Sequence, residues 1–283
     1  MSCKKIPVAI CSAVVGASCF WPNVTMASPV PVAAATVAAE AVSNALPSSG
    51  DLSAEVRYFS PNLDARAHSD SINYKGGDIN LKDDLDFSDK NAPELVLRYR
   101  NVSVDWIHAT SDGSTKLDGD LKLDNKKFLN GSNIHADSKL NYVNVKVASP
   151  IITAPHIKTT WNYGVAIINW KMSADGTDSE TSGSSAAAHS ASASESYTVP
   201  IPLVGVGAEA ELGGGVSAYA NISGLPLASY GHFYDLETGL KYKPIPYFSL
   251  SAGYRRVDIN VHHGDDRGNF VLDGPWAGIS YNF

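Results

Sequence analysis

The chain has 283 residues, is 44% hydrophobic and 18% charged, and carries a formal net charge of -7. A polytopic helical membrane protein would be far more apolar, and a disordered chain more charged. Lys+Arg at 22 against Asp+Glu at 29 leaves no basic surplus, which argues against nucleic acid as a partner.

Residues 1–27 read as a secretory signal. Lys4 and Lys5 precede a short apolar run from Ile6 to Phe20, and Thr25-Met26-Ala27 offers small residues for cleavage. Cys3, Cys11 and Cys19 all fall inside this segment. The mature chain is therefore expected to hold neither disulfides nor thiolate metal sites. Residues 28–50, rich in Ala, Val, Pro and Ser, read as a flexible lead-in.

From residue 51 onward apolar residues recur with period two, the signature of strands with one apolar and one polar face. Leu52, Ala54, Val56 and Tyr58 oppose Ser53, Glu55 and Arg57. Leu95, Leu97 and Tyr99 oppose Arg98 and Arg100. After a tight turn, Val102, Val104 and Trp106 oppose Ser103 and Asp105. The pattern returns in Val143–Val147 around Lys146, in Trp161–Ile167, in Val204–Glu211 with Glu209 and Glu211 on the other face, and in Val216–Ile222. It returns again in Tyr234–Tyr242 around Asp235, Glu237 and Lys241, in Phe248–Arg255, and in Ile279, Tyr281 and Phe283. These are ten candidate strands, though eight or twelve would also fit. The alternation breaks at Leu203-Val204 and at Arg255-Arg256, where bulges or strand ends are expected.

Short connections alternate with long ones at about 62–91, 111–136, 173–196, 225–231 and 262–268. Short turns on one side and long surface loops on the other are the arrangement of a bacterial outer-membrane barrel. The fold class expected for residues 51–283 is thus all-β, an antiparallel transmembrane β-barrel in the bacterial outer membrane. Aromatic residues near strand ends (Tyr58, Tyr99, Trp106, Trp161, Tyr242, Tyr254, Tyr281) suit interfacial girdles. A secreted β-sandwich is the competing reading; it would bury its apolar faces.

Three stretches carry a family likeness. They are Tyr74-Lys75-Gly76-Gly77-Asp78-Ile79-Asn80-Leu81-Lys82-Asp83-Asp84-Leu85, Leu240–Tyr254 with Gly253-Tyr254-Arg255, and Gly274-Pro275 through Phe283. Together they resemble a family of small bacterial outer-membrane barrels with no assigned activity. Asp86 stands where that family usually has Gly. The terminal strand, with Ile279, Tyr281 and Phe283, resembles the signal read by the barrel assembly machinery. The resemblance implies outer-membrane lipid, that machinery and periplasmic chaperones as partners.

The inward faces collect Glu55, Arg57, Arg98, Arg100, Asp105, Lys146, Glu209, Glu211, Asp235, Glu237, Lys241 and Arg255. Both signs are present, and a lumen of about ten strands is narrow, so a paired lumen charge network is expected. The acidic run Asp83–Asp89 lacks EF-hand spacing and reads as a solvated loop. His262-His263 with Asp265 and Asp266 is a poor metal site, because neighbouring strand residues point apart. No spacing singles out His108, His135 or His232 with a Ser and an Asp. Neither a His-Glu-x-x-His nor a Gly-x-Ser-x-Gly motif occurs. No catalytic residue, metal or cofactor is expected, and the chain is not expected to be an enzyme. The functional expectation is a structural barrel or narrow pore for ions and small solutes. The alternatives are a surface-interaction barrel acting on an extracellular ligand through its loops, chiefly the Ser-rich 173–196, and a lipid-modifying or proteolytic barrel.

Overall fold

A computed structural model of the chain describes residues 51–68, 72–74, 78–88, 90–123, 126–178, 189–226, 231–263 and 266–283. The expected signal and lead-in lie outside the described residues. In chain order the elements are β1 (Leu52–Phe59), β2 (Asn62–His68), β3 (Ile72–Tyr74), β4 (Ile79–Asn80), α1 (Leu81–Leu85), β5 (Ala92–Tyr99), β6 (Val102–Lys116), β7 (Leu121–Leu123) and β8 (Lys126–Phe128). Then come β9 (Asn133–Ala154), β10 (Ile157–Asp178), β11 (His189–Gly213), β12 (Val216–Pro226), β13 (Gly231–Ile245), β14 (Phe248–His263) and β15 (Asp266–Asn282).

Ten of these strands close a ring in the order β1, β5, β6, β9, β10, β11, β12, β13, β14, β15, with β15 returning to β1. Every ring neighbour is antiparallel. The ring is staggered. A walk along directly opposed partners runs Gly213, Val216, Tyr242, Leu250, Ile279, Val56, Leu95, Trp106, Val143, Ile167, Pro200. It rejoins β11 thirteen residues from where it began. Such a shear tilts the strands, as closure requires. The hairpin at Gly214-Gly215 needs glycine: Gly213, Gly214 and Gly215 have φ of 90°, 61° and 78°. Arg100 adopts φ 53° in the β5–β6 turn, a left-handed conformation that costs a non-glycine residue.

The face assignment decides between membrane and water. Val56, Leu240 and Ile279 point outward and are 64%, 55% and 55% exposed, whereas Glu55 and Arg255 point inward and are 2% and 0% exposed. A soluble sandwich has the reverse arrangement. Of the seven expected girdle aromatics, all but the half-buried Tyr99 are exposed on the outside.

Two expectations are corrected here. The registers run without a shift through Leu203-Val204 (against β10) and through Arg255-Arg256, so neither is a bulge. The irregularities lie instead beside the short turns, at Thr159/Thr160, Glu211/Gly213 and Tyr242/Ile245. The alternation breaks at Arg255-Arg256 because face polarity crosses over there. Arg255 is the last polar inward residue before Val257, and Arg256 is the first outward charge above Tyr254. Leu203-Val204 marks the same crossover on β11.

The strands also run further than the sequence suggests. β6 continues to Lys116 and β9 begins at Asn133, so much of 111–136 is sheet. Residues 173–178 pair with 189–194, and only 179–188 of the Ser-rich segment lie outside the described residues. Ala174 and Ala193 are buried inside the barrel. The acidic run begins in a helix and continues without regular structure through Ser88, with Asp83 and Asp86 exposed: Asn80 caps α1 by accepting from the Lys82 and Asp83 N–H groups, and Leu81, Leu85 and Phe87 pack into the barrel mouth.

Closed strands with an apolar outer belt predict a protein that needs an amphiphile. In dodecyl sulfate gels, unheated protein should migrate faster than heated protein. A monodisperse, folded chain in plain buffer would contradict the membrane reading.

Candidate functional site

Among the described residues, the lumen is where the ring concentrates buried charge. Its centre is Arg57, on β1, and Arg255, on β14. Arg57 reaches Glu55 at 2.9 Å, Glu237 at 3.0 Å and Glu94 at 3.3 Å. Arg255 holds Asp235 through two nitrogens, at 3.1 and 2.8 Å, and donates to Glu94. Its further contacts to Asp105 and Glu237 are longer, at 3.8 and 3.9 Å. Lys146 pairs with Asp105 at 3.1 Å, and Arg98 with Glu55 at 2.6 Å.

Neutral donors complete the network. Tyr142 and Asn144 donate to Asp235 at 2.8 and 3.1 Å, Tyr219 to Glu237 at 2.7 Å and Ser251 to Glu55 at 2.5 Å. Buried charges survive only when paired and hydrogen-bonded in this way. Arg57 also lies 4.0 Å over the Trp276 ring, a cation–π contact. That indole rests on Gly239 and Gly253, directly opposed on β13 and β14. A Cβ at Gly253 would stand 2.7 Å from the ring, and one at Gly239 would stand 3.0 Å from it. Two glycines thus make the recess that seats Trp276 against Arg57.

Of the twelve charges singled out from the sequence, Glu55, Arg57, Arg98, Asp105, Lys146, Asp235, Glu237 and Arg255 meet in this network. Glu209 and Lys241 line a cavity of about 470 Å³ beneath it, at the short-turn end, with Arg98, Lys158, Asn162 and Asn221. Arg100 and Glu211 do not join. Arg100 bonds Asp51 at 3.0 Å on the rim, and Glu211 lies 4.0 Å from His156, both exposed. Sequence reasoning missed Glu94, which is 1% exposed and bonded to both central arginines. The signal was available: Glu94, Val96 and Arg98 alternate with Leu95 and Leu97, but Pro93 disguised the strand's start.

Above the charges the lumen is mainly apolar, with Ser111 and Ser138 buried among the apolar side chains. Phe59, Ile107, Tyr142, Phe233, Val257, Leu272 and Trp276 form one buried layer. A second, at the loop end, gathers Tyr74, Ile79, Leu85, Phe87, Leu121, Phe128, Ile134 and Met172. Free space beside Leu63, Ala109, Leu140 and Leu272, between these layers, is about 10 Å³, enough for one water.

Among the described residues, the outer face carries one arrangement with a catalytic look. Ser114 Oγ stands 2.8 Å from His135 Nδ1, and His135 Nε2 stands 3.6 Å from Asp137. Ser114 and His135 are opposed across β6 and β9, where the ladder occupies the backbone N–H groups an oxyanion would need. His108 bonds Asn141 at 2.7 Å and His232 bonds Asp258 at 3.2 Å, both on the outer face. Among the described residues no group of three or more His, Cys, Asp or Glu is placed to hold a metal. Asp265 and Asp89 lie outside the described residues, as do the side chains of His263 and Asp266. In the loop-end hairpin, Lys127 and the Asn130 N–H hold the exposed Asp120 carboxyl below its ordinary range.

No family model matches the chain, and no curated protein matches it in sequence. Solved structures do resemble it. The outer membrane protease OmpT from Escherichia coli aligns at a TM-score of 0.50 and 10% identity, over 82% of this chain and 96% of that one. The translocator domain of the autotransporter NalP from Neisseria meningitidis aligns at 0.38 and 10% identity, over 98% and 99%. Ail, the attachment invasion locus protein of Yersinia pestis, aligns at 0.28 and 14% identity, over 83% and 100%. At these identities the likeness to OmpT speaks for fold alone. With its apolar outer belt and sealed ring, the chain is a closed ten-stranded antiparallel β-barrel of the bacterial outer membrane.

Proposed function

We propose that the protein is a non-conducting structural barrel, and that of the two roles suggested by its sequence the pore is the weaker. One observation carries this reading. The Arg57–Glu94–Arg255 network is roofed by two apolar layers, so the cavity of about 470 Å³ opens toward the short-turn end and stops at packed side chains. Ions cross such a roof only after losing their water, at a cost of many kcal/mol.

A second reading adds to the first. β9, β10 and β11 run well beyond the apolar belt as a paired sheet, which favours a rigid display surface for an extracellular partner over mobile loops. An enzymatic role is the least supported. Ser114, His135 and Asp137 lie on an open face without an oxyanion site, and in OmpT the protease activity belongs to a chain 10% identical to this one. The proposal includes assembly by the barrel assembly machinery, reading Ile279, Tyr281 and Phe283, after escort by periplasmic chaperones. These three outward residues present one apolar edge of the final strand.

Folded protein in a planar bilayer should give no discrete channel steps; recurring unitary steps would overturn the sealed-lumen reading. The lumen network can be tested separately. Arg255→Leu leaves Glu94 and Asp235 buried without their main partner, and should destabilise by about 3 kcal/mol in urea unfolding from detergent. Arg98→Leu should cost only about 1 kcal/mol, because Arg98 is 35% exposed and Glu55 keeps Arg57 and Ser251. A cost for Arg255→Leu as small as that for Arg98→Leu would mean that the lumen is wet throughout.

A further inference from the structure

Four strands share a sequence of layers on the outer face. In one rung, Trp106, Val143, Ile167 and Pro200 are opposed across β6, β9, β10 and β11 and are apolar. The next outward rung toward the loop end is His108, Asn141, Asn169 and Thr198. It is tied by His108 to Asn141 at 2.7 Å and by Asn169 donating to Thr198 at 2.8 Å. The rung beyond is Thr110, Lys139, Lys171 and Ser196.

Lys139 and Lys171 are directly opposed and both exposed. Like charges in that position repel. Among the described residues no carboxylate stands within 4.0 Å of either ammonium. The nearest outward acids, Asp112 and Asp137, are opposed in the following rung; Lys90 holds Asp112, and His135 Nε2 lies 3.6 Å from Asp137. Two other outward cations are paired within the protein: Arg256 bonds Asp258 at 2.7 Å and Arg66 approaches Asp64 at 3.5 Å.

We propose that Lys139 and Lys171 bind the phosphorylated headgroup of an outer-leaflet glycolipid. The inference rests on the outer-membrane placement, with the loop end outward. Height supports it. Lys139 is four residues beyond Val143, which at strand rise and barrel tilt is about 10 Å above the last apolar residue. A lysine stem reaches back several ångströms while keeping its ammonium among polar groups, which brings both charges to the phosphate level. A phosphate between them relieves the repulsion and accepts from both, and the Asn141 and Asn169 amides beneath supply further polar contacts to the sugar. Acyl chains of the same molecule then lie along Trp106, Val143 and Ile167, so one ligand satisfies both layers.

The test uses the full chain folded in neutral detergent micelles, titrated with bis-phosphorylated lipid A and with its dephosphorylated form, and read by native mass spectrometry. Wild type should prefer the phosphorylated form by about tenfold, and the double variant Lys139→Gln/Lys171→Gln should lose that preference. Lys139→Arg/Lys171→Arg and the distant Arg66→Gln should keep it. Heat-modifiable mobility reports the fold of each variant, so loss of the barrel is distinguished from loss of the site. The proposal is overturned if the double Gln variant retains the preference, if both lipid forms bind alike, or if inorganic phosphate alone at equal concentration displaces the lipid.

Discussion

Within hydrocarbon no water is available to an amide, so each backbone N–H and C=O must find its partner inside the sheet. This constraint organises the molecule. It makes the β15–β1 and β10–β11 pairings as necessary as any hairpin, because an unpaired edge would be exposed to lipid. Once the ring is closed, the outer face is apolar by necessity, and polar side chains on these strands are directed into a narrow lumen. The buried ion network follows from closure. Five carboxylates and four cations share too little space to remain individually hydrated, so they are held by one another and by Tyr142, Asn144, Tyr219 and Ser251.

The network in turn depends on shape. Arg57 and Arg255 each bridge carboxylates from several strands, which a planar guanidinium does and a lysine ammonium does poorly. Trp276 covers Arg57 from β15, and its indole fits because Gly239 and Gly253 leave the opposing wall bare. Strand position, glycine placement and ion pairing are therefore coupled: moving any one displaces the others. A lumen built this way resists collapse, while its short-turn side stays open to the cavity that Glu55, Asp105, Lys146 and Glu237 line.

Much of this was legible because period two is a strong signal. All ten strands of the ring contain a segment where alternation stands out, and eight of the network's nine charged residues fall on the polar side of those segments. What escaped was governed by context. Glu94 was hidden by Pro93, although the first residues of a strand tolerate proline. The stretch containing Ala174 and Ala193 looked too poor in large side chains to order itself, but inside a barrel a small inward residue is useful, leaving room in the same buried cluster for larger ones such as Phe128. The acids around Leu85 drew attention as ligands or solvated charge, whereas Leu81, Leu85 and Phe87 decide where that segment packs.

The two breaks in alternation explain why the polar pattern changes along a single strand. On β9, the inward Asn144 lies among charges while the outward Val143 and Val145 face lipid. Ten residues earlier the inward Ile134 and Ala136 are buried, while the outward His135 and Asp137 face water. The same inversion separates Arg255 from Val257 on β14 and Leu203 from Gly205 on β11. Below the crossover the solvent is hydrocarbon, and stability comes from backbone closure and paired charge. Above it the solvent is water, and the interior becomes an ordinary hydrophobic core stabilised by removing apolar area from water. One continuous sheet thus passes through two solvents and reverses its faces at their boundary. On β9, β11 and β14 that reversal marks where the outer face turns polar, and it leaves Lys139 on the polar side of the line on β9, with Lys171 directly opposite it.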